Sequence, residues 1–460
     1  MKIVVVGTGY VGLVHASVCS EYGHKVYGYD IDSDKIVAYN SGNIQRIEKY
    51  VKEPGLPKLV LENLGKYLFF TDELESVIEG VDVIFFCLPV PSQEDGASDL
   101  SIYFQAVEHI AGLLAKRKDK RRVVLVDKST VPIGTARKTE ALLRGHQVEN
   151  FGVASNPEFL AEGAAISQAR KPDRVVVGCD SEEDFRILRR VYSQFVNHVR
   201  IKYIQTTPET AEAIKYISNT VLLTYVAFWN GIGARIAEQL PNIRIEDLRR
   251  GVTADNRIST WGSYVSNGAG GSVFGKDIRS FISQLGDVGV DTKILESCYE
   301  VNEYQKVYLV ERAIEEIGFQ FNNKVVAVLG LSFKKQSNDL RDASSIKVIE
   351  TLLGKGVRKI KSYDPLAIEE ARKTFSPDKN VLFEKIEFYE TAREAIEGTD
   401  ALFISTDWEE FRGLSTRIEN EVSPPYLIID GRRMIPDYDD LVRQGFSYLA
   451  VGSPPLLPEA

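Results

Sequence analysis

The sequence has few cysteines and histidines, and none of them is spaced for a cross-link or a metal site. Its 460 residues contain no CxxC pair, and five scattered histidines form no HExxH or similar pair. The four cysteines lie far apart, at Cys19, Cys87, Cys179 and Cys298. We therefore expect neither a disulfide framework nor a bound metal.

Long apolar runs and an excess of positive charge are also missing. No run reaches the roughly 18 apolar residues of a membrane helix, and the chain opens on the strand-like MKIVVVG rather than on a secretory signal. A net charge of -9 argues against nucleic acid or an anionic membrane as the main partner. Hydrophobic content of 44% and charged content of 26% are ordinary for globular chains. We expect a cytoplasmic protein of two or three domains.

A nucleotide-binding turn is predicted at the start of the chain. The apolar run Lys2 to Val6 leads into GTGYVG at 7–12 and then a helix-compatible segment. In this pattern Gly7 permits the turn, Gly9 lets a pyrophosphate approach the helix, and Gly12 packs against the strand. The next predicted strand, Lys25 to Tyr29, ends in Asp30, which can accept from ribose hydroxyls and repel a 2′-phosphate. The pattern predicts NAD rather than NADP.

Further strands are predicted at 81–88 and 122–127, as successive units of a doubly wound sheet. The turns after them, with Pro89 and Thr130, should lie near the nicotinamide half of the cofactor. Pro89 could equally have a structural role in its turn. The hydroxyl of Thr130 could bind a reacting oxygen or a water.

Two segments carry pairs of polar residues four apart. Asn156 and Pro157 predict a short helix, on which Glu158 and Glu162 would share a face, as a functional pair or as a solvated acidic surface. A second helix begins at 207–209 and continues past 229. It presents Lys215 and Asn219 on one face, and its broad apolar surface should join two domains and a second subunit.

The stretch GAGGSVFGKD at 268–277 combines many glycines with Lys276 and Asp277. Glycines suit close approach of the backbone to a ligand, although composition alone also fits a flexible surface loop. Val273 is an apolar residue in a loop whose other residues suit a binding or catalytic site.

A second α/β unit follows. The strand at 324–330 resembles the first strand, and strands at 360–364 and 401–405 follow in the same order, but no second GxG is present. Lys334 and Arg341 could instead bind phosphates. The last nine residues are rich in proline and are expected to be loose.

Together these motifs resemble those of the nucleotide-sugar 6-dehydrogenases, the family that acts on UDP-glucose, GDP-mannose and UDP-N-acetylmannosamine. The resemblance covers nearly the whole chain and rests on GTGYVG at 7–12, KSTVPIGT at 128–135, SNPEFLAEG at 155–163, EAIKYISNT at 212–220, DNRI at 255–258, GAGGSVFGKD at 268–277, LGLSFKKQSNDLRDA at 329–343 and YDP at 363–365. It implies two Rossmann-like α/β domains joined by a long central helix. The expected divisions are an NAD domain at 1–205, a helical dimerisation region with the glycine loop at 206–310, and a nucleotide-sugar domain at 311–460. A homodimer that binds a UDP-sugar is implied.

The family oxidises a primary alcohol in two hydride transfers, first to an aldehyde and then to an acid. By motif position, Thr130 and Glu162 would order water, Glu158 would transfer protons, Lys215 and Asn219 would stabilise an oxyanion, and Asp277 would support the catalytic water. Cofactor contacts are expected from Gly7, Gly9, Tyr10, Val11, Gly12, Asp30, Lys35, Pro89, Thr130, Glu162, Lys276 and Arg341. Substrate contacts are expected from Glu158, Phe159, Leu160, Lys215, Asn219, Arg257, Gly270, Phe333 and Lys334, with Arg257 reaching the sugar nucleotide across the dimer.

The chain departs from the family pattern at the nucleophile. The family loop reads GxGGxCxPKD, in which a cysteine thiolate captures the aldehyde; here Val273 replaces the cysteine and Gly275 the proline. Val90 also replaces an expected threonine. In the segment Ser41 to Leu56, the part Glu53-Pro54-Gly55-Leu56 is recognisable, but the stretch before it is longer than expected.

Three hypotheses follow from that departure. The first is two-electron alcohol and carbonyl chemistry, or epimerisation in which the hydride returns. The second is full oxidation to the acid through a hydrated aldehyde, without a cysteine. The third is a non-catalytic protein that binds a nucleotide sugar.

Overall fold

A computed structural model describes residues 1–196 and 198–459. The chain divides into two compact units, the first of residues 1–218 with 279–290, the second of residues 219–278 with those from 291 onward. Each unit contains one twisted α/β sheet of Rossmann type, and the helix Pro208–Phe228 runs in sequence from the first unit into the second. The predicted fold class, two Rossmann-like domains joined by a long helix, is confirmed.

The first unit is built on an eight-stranded sheet of order β3-β2-β1-β4-β5-β6-β7-β8. Strands β1 to β6 are parallel, β7 is antiparallel to β6, and β8 is parallel to β7. Its strands are β1 Lys2–Val6, β2 Lys25–Tyr29, β3 Leu68–Thr71, β4 Val83–Phe86, β5 Val123–Asp127, β6 Phe151–Ser155, β7 Arg174–Gly178 and β8 Lys202–Thr206.

Both faces of this sheet are buried. Ile3 and Val5 belong to one apolar cluster, whereas Val4 and Val6 belong to another. Successive side chains of a strand point to opposite faces, so helices must cover both sides. The α-helices of this unit, including two that continue across the division, are Tyr10–Glu21, Ser33–Asn40, Ile44–Glu48, Leu56–Asn63, Ser101–Lys116, Thr135–Gly145, Ala165–Arg170, Glu182–Val191, Ser193–Val196, Pro208–Phe228 and Phe274–Asp287, with a 3₁₀ turn at Leu74–Ser76.

The second unit repeats the same strand order with six parallel strands, β11-β10-β9-β12-β13-β14. They are β9 Val325–Leu329, β10 Lys359–Tyr363, β11 Ile386–Phe388, β12 Ala401–Ile404, β13 Leu427–Asp430 and β14 Ser447–Ala450. Its helices are Ala234–Gln239, Ile245–Val252, Lys293–Glu315, Ser344–Gly354, Ile368–Thr374, Ala392–Ile396, Leu414–Glu421 and Tyr438–Arg443, with a π turn at Trp229–Gly233 and 3₁₀ turns at Val381–Lys385 and Glu409–Gly413. None of the helices in the described ranges is both long and apolar enough to cross a membrane.

The repeat extends to the turn after the first strand of each unit. Gly7 and Gly330 both have positive φ, at +88° and +83°, and their amides donate to the last carbonyl of the neighbouring strand, that of Tyr29 or Tyr363, at 2.8 Å. The residue after that neighbouring strand is an aspartate in both units, and it binds the turn: Asp30 in the first, Asp364 in the second. The predicted internal repeat is therefore a repeat of backbone geometry, although only the first turn has the GxGxxG sequence.

Two local predictions are wrong. Residues 156–161 form no helix; the helix begins at Ala165, so Glu158 and Glu162 do not share a helical face. The amide of Asn156 does not cap a helix because it donates to the Val176 carbonyl (2.6 Å) and accepts from Lys128 and Tyr192.

The tail is more ordered than its prolines suggest. Tyr448 and Leu456 exchange two backbone hydrogen bonds of 2.9 Å, and the Gly452 amide donates to Glu238 at 2.7 Å. The expected loose tail is therefore wrong up to Leu456, and Ala460 lies outside the described residues.

Candidate active site

Of the three motif glycines in the glycine turn of the first unit, only Gly9 has open space beside it for a ligand. A Cβ on Gly7 would lie 2.6 Å from the Cys87 carbonyl oxygen, and one on Gly12 would lie 1.8 Å from the Gly7 oxygen. A Cβ on Gly9 would meet no atom within 4 Å. Helix Tyr10–Glu21 begins directly after Gly9 without a side-chain cap, so its first amides are available to an anion. These residues fit the pyrophosphate of NAD.

Asp30 is held at the end of β2 by a dense set of donors. Its carboxylate accepts from the Thr8 amide (2.8 Å) and hydroxyl (2.9 Å), and from Lys35 Nζ (2.9 Å). Burial disfavours its ionised form, but these hydrogen bonds and the Lys35 charge outweigh burial and lower the pKa of Asp30. The side chain therefore stays an acceptor, as ribose recognition requires.

A buried ion pair lies in the same unit. Lys215 Nζ donates to Glu158 Oε1 (2.9 Å) and to the Glu158 carbonyl (2.7 Å), and the two side chains are 5% and 11% exposed. Burial alone would raise the pKa of Glu158, but the adjacent Lys215 ammonium and the Leu160 amide bring it below the ordinary value. The carboxylate can accept a proton, and the ammonium can stabilise a developing negative charge.

A buried hydrogen-bond network surrounds Asn156, two residues before Glu158. Lys128 Nζ donates to Asn156 Oδ1 at 3.0 Å, and Tyr192 donates to the same oxygen. Burial lowers the pKa of Lys128. A cavity of about 340 Å³ lies between this network and the ring of Phe159, on which Arg174 stacks at 3.8 Å. The cavity volume is within the range of small-ligand sites.

In the second unit the glycine loop packs on its own chain. A Cβ on Gly270 would lie 2.4 Å from the Asp342 carbonyl oxygen, one on Gly271 2.9 Å from the Phe333 ring, and one on Gly275 2.7 Å from the Asp342 carboxylate. Gly268 is similarly close to Lys306. The loop is therefore not a flexible surface segment, and packing accounts for its glycines.

The loop ends in a buried carboxylate. Asp277 is fully buried, accepts from Asn219 Nδ2 at 2.6 Å, and pairs with Lys276 Nζ at 2.7 Å. Val273 immediately precedes helix Phe274–Asp287 and accepts from the Asp277 amide through its carbonyl (2.8 Å). The Val273 side chain is 38% exposed. A side chain at this position can thus face solvent or a ligand.

The predicted site residues are divided between the two units. The first unit holds Gly7, Gly9, Tyr10, Val11, Gly12, Asp30, Lys35, Pro89, Thr130, Glu158, Phe159, Leu160, Glu162 and Lys215, and the second holds Asn219, Arg257, Gly270, Val273, Lys276, Asp277, Phe333, Lys334 and Arg341. Arg257 and Arg341 are exposed and pair with Asp255 and Asp339, each at 2.6 Å. Lys334 lies over the Phe333 ring at 5.4 Å.

Two features of the site were missed from the sequence. Glu53 reaches from its loop to Tyr10 and to the amides of 163–166. Lys306, fully buried, pairs with Glu303 (2.6 Å) and with the Asp342 that fills the space beside Gly275. The Glu53 contacts and the Lys306–Asp342 pair join residues more than 30 positions apart, for which the local sequence carries no signal.

Comparison with known proteins agrees with this geometry. Models of three domains of the UDP-glucose/GDP-mannose dehydrogenase family match the chain: the NAD binding domain at 1–196, the central domain at 209–304 and the UDP binding domain at 327–437. UDP-glucose 6-dehydrogenase YwqF of Bacillus subtilis is 35% identical over 100% of this chain and 99% of its own length. The chain belongs to this family.

Other members support the assignment. The UDP-glucose 6-dehydrogenase of Rhizobium meliloti is 34% identical over 99% of this chain and all of its own length. The structure of a UDP-glucose dehydrogenase from Pyrobaculum islandicum superposes with a TM-score of 0.87 at 28% identity, covering 98% of both chains. This member of the UDP-glucose/GDP-mannose dehydrogenase family is thus an NAD-dependent oxidoreductase that acts on CH–OH groups, and its C-terminal domain is of the type that binds a nucleotide sugar.

Proposed function

We propose that this dehydrogenase performs two-electron chemistry on a UDP-sugar, interconverting an alcohol and a carbonyl, because Val273 stands where the family has its nucleophilic cysteine. Two features support a working rather than an inactive site. Lys215 and Glu158 form a buried, hydrogen-bonded ion pair, and Asn219 binds the buried Asp277. Buried charges are costly, and a protein that only binds has less use for them.

The proposed step divides its work between these groups. NAD, when bound at the glycine turn, supplies the hydride acceptor. The Glu158 carboxylate takes the proton of the alcohol, and the Lys215 ammonium stabilises the oxygen while it is negative. With NAD bound, the alcohol and NAD⁺ would become a carbonyl, NADH and one proton, and Glu158 would receive that proton. By motif position, Thr130 and Glu162 are proposed to order water, Asn219 to stabilise the oxyanion and Asp277 to support the catalytic water.

The other cysteines are poor substitutes for the missing thiol. Cys19, Cys87 and Cys179 are buried, and burial raises the pKa of each, to about 12 for Cys19 and Cys87. A thiol must ionise to attack a carbonyl. Cys298 is partly exposed but lies within helix Lys293–Glu315, outside the glycine loop.

The direct test is to count NADH produced per sugar consumed, with UDP-, GDP- and dTDP-sugars, and to follow the nucleotide sugars by mass and by chromatography, since an epimer has the same mass as its substrate. We expect one NADH per sugar and loss of two mass units, or no net NADH and a new epimer. Two NADH per sugar with a uronic acid product would instead establish the cysteine-independent route through a hydrated aldehyde. Binding of a UDP-sugar by calorimetry without any turnover would establish a non-catalytic binder.

Restoring the thiol provides a second test. Val273→Cys places a thiol directly before the N-terminus of a helix, a setting that favours the thiolate. We expect the stoichiometry to rise from one towards two NADH per sugar, with a covalent product adduct detectable by mass spectrometry of the protein. Val273→Ser is the matched control, since its hydroxyl is a far weaker nucleophile at neutral pH. Unchanged stoichiometry and no adduct in Val273→Cys would argue that the aldehyde does not reach this loop.

We further propose that the protein is a homodimer. Val221, Phe228 and Ile232 are 59%, 55% and 50% exposed and lie seven and four residues apart, which places them on one face of the central helical segment. An exposed apolar stripe of this length is typical of a subunit interface. Division of the chain into domains at 1–205, 206–310 and 311–460 also stays a proposal, as does a cytoplasmic location.

A further inference from the structure

Glu53 is a buried carboxylate that the proposed chemistry does not use. It belongs to Glu53-Pro54-Gly55-Leu56, directly after the stretch that is longer than the family pattern, and it precedes helix Leu56–Asn63. Its side chain is 4% exposed. A carboxylate this buried must be compensated by hydrogen bonds or by a cation.

Its partners come from two separate parts of the first unit. Oε2 accepts from the Gly163 amide at 2.7 Å and from the Tyr10 hydroxyl, and Oε1 accepts from the Ala165 amide at 2.7 Å and the Ile166 amide at 3.4 Å. The Gly163 amide also approaches the Tyr10 oxygen at 3.2 Å. In the described ranges of the chain no lysine or arginine pairs with Glu53. Amides and a phenol therefore compensate its charge.

These partners adjoin the two sets of residues that the reaction needs. Tyr10 is the first residue of the helix that follows Gly9, the glycine with open space beside it. Gly163, at φ +78°, follows Glu162 directly, so its amide belongs to the peptide group of Glu162. One carboxylate thus fixes the cofactor turn and the backbone of an acid proposed to order water.

We propose that Glu53 is a positioning residue for the reaction: it holds the Glu162 peptide in register with the NAD-binding turn, through Gly163 on one side and Tyr10 on the other. The role given to Glu162 rests on the proposed function, whereas the link from Glu53 to the glycine turn does not depend on it. Glutamine cannot replace it fully, because both carboxylate oxygens accept from amides and the glutamine NH₂ would face one of these donors.

The test compares Glu53→Gln, Tyr10→Phe and the double variant in the full-length protein. We expect Glu53→Gln to lower kcat and to weaken NAD binding, each about tenfold, with little change in KM for the sugar. Tyr10→Phe should have a smaller effect in the same direction, and the double variant should be no worse than Glu53→Gln alone, since both remove one linkage. Hydrogen exchange of the amides at 163–166 should rise in Glu53→Gln.

Glu48→Gln is the matched control, because Glu48 is an exposed carboxylate in the same segment; it should change none of these values. A lower melting temperature in Glu53→Gln with unchanged kcat and NAD affinity would show a merely structural role and overturn the proposal. Additive effects in the double variant would also overturn it. The NADH stoichiometry is not involved, so failure of the proposed two-electron chemistry and failure of this proposal remain distinguishable. NAD affinity and hydrogen exchange can be read even in a protein without turnover.

Discussion

At the scale of single residues, the Lys215–Glu158 pair has the largest expected influence on both activity and stability. Both side chains are almost fully buried, and Lys215 supplies the charge that keeps the Glu158 pKa low. Lys215→Met should lower kcat by at least about a hundredfold, since it removes the proposed oxyanion partner. It should also destabilise the fold by roughly 3–5 kcal/mol, because Glu158 would be left as an uncompensated buried charge.

The measurements are steady-state kinetics and urea unfolding at pH 7. Lys215→Met combined with Glu158→Gln should recover much of the stability but none of the activity, because the lone carboxylate is then gone. Lys58→Met, at an exposed lysine with 81% side-chain exposure, should change neither value. Full activity in Lys215→Met would rule out the proposed role.

The buried carboxyl group of Asp127 should make the free energy of unfolding depend on pH. It is 1% exposed at the end of β5, bound by Tyr103 through Oδ1. Burial raises its pKa to about 8, with the Tyr103 hydrogen bond opposing and Glu212 adding to the shift. The folded pKa thus exceeds the ordinary value of 3.8. The stability that this group contributes is fully present below pH 3.8, its ordinary pKa. It is lost as the pH rises from there towards the folded pKa of about 8.

Asp127→Asn cannot ionise and should escape that loss. We expect the free energy of unfolding of Asp127→Asn, relative to the unmodified protein, to improve by about 1.4 kcal/mol per pH unit between pH 5 and 7, and to level off above pH 8. Glu108→Gln, an exposed acid on the helix that carries Tyr103, should show no such trend. A difference independent of pH would mean that Asp127 is ionised in the fold throughout this range.

At the scale of structural elements, the glycine loop offers a test of packing. A Cβ on Gly270 would lie 2.4 Å from a backbone oxygen, that of Asp342, which no rotamer change can move away. Gly270→Ala should therefore destabilise the protein by about 1–3 kcal/mol and lower affinity for the nucleotide sugar. Gly251→Ala is the control: it lies in helix Ile245–Val252 with nothing within 4 Å, and should stabilise by about 0.5–1 kcal/mol. Equal effects at the two glycines would contradict the packing explanation.

Elements with a regular local pattern were predictable, and those decided by distant partners were not. Strands at Lys2–Val6 and Lys25–Tyr29 have the predicted bounds because short, largely apolar segments between turns specify buried parallel strands. The Asn156-Pro157 pair has an equally clear helical signature, yet Asn156 binds Lys128 and Tyr192 instead. A side chain that can cap a helix can also satisfy a distant donor, and only the tertiary structure decides between them.

At the scale of the whole molecule, the two units repeat one strand order but differ in the turn that follows their first strand. In the first unit Gly9 leaves open space before the helix. In the second, Leu331 and Ser332 follow Gly330, and the carboxylate of Asp364 is already bound by their amides, by those of Leu366 and Ala367 and by Trp408. The sequence shows that the second turn lacks a GxG. It did not reveal how the glycine loop and the Asp342–Lys306 pair fill the second unit.

The exposed apolar stripe gives the last prediction, on assembly. Val221, Phe228 and Ile232 each leave half or more of the side chain accessible in one chain, which a stable monomer would not favour. Phe228→Arg would place a charge in the middle of the proposed interface, where desolvation is costly. We expect the unmodified protein to sediment as a dimer at micromolar concentration and Phe228→Arg as a monomer with a lower melting temperature that no longer rises with protein concentration. Leu366→Arg, at an isolated apolar residue that is 47% exposed, should remain dimeric. A dimer in both variants would place the subunit interface on another surface, and a monomeric unmodified protein would require that this stripe serve something other than self-association.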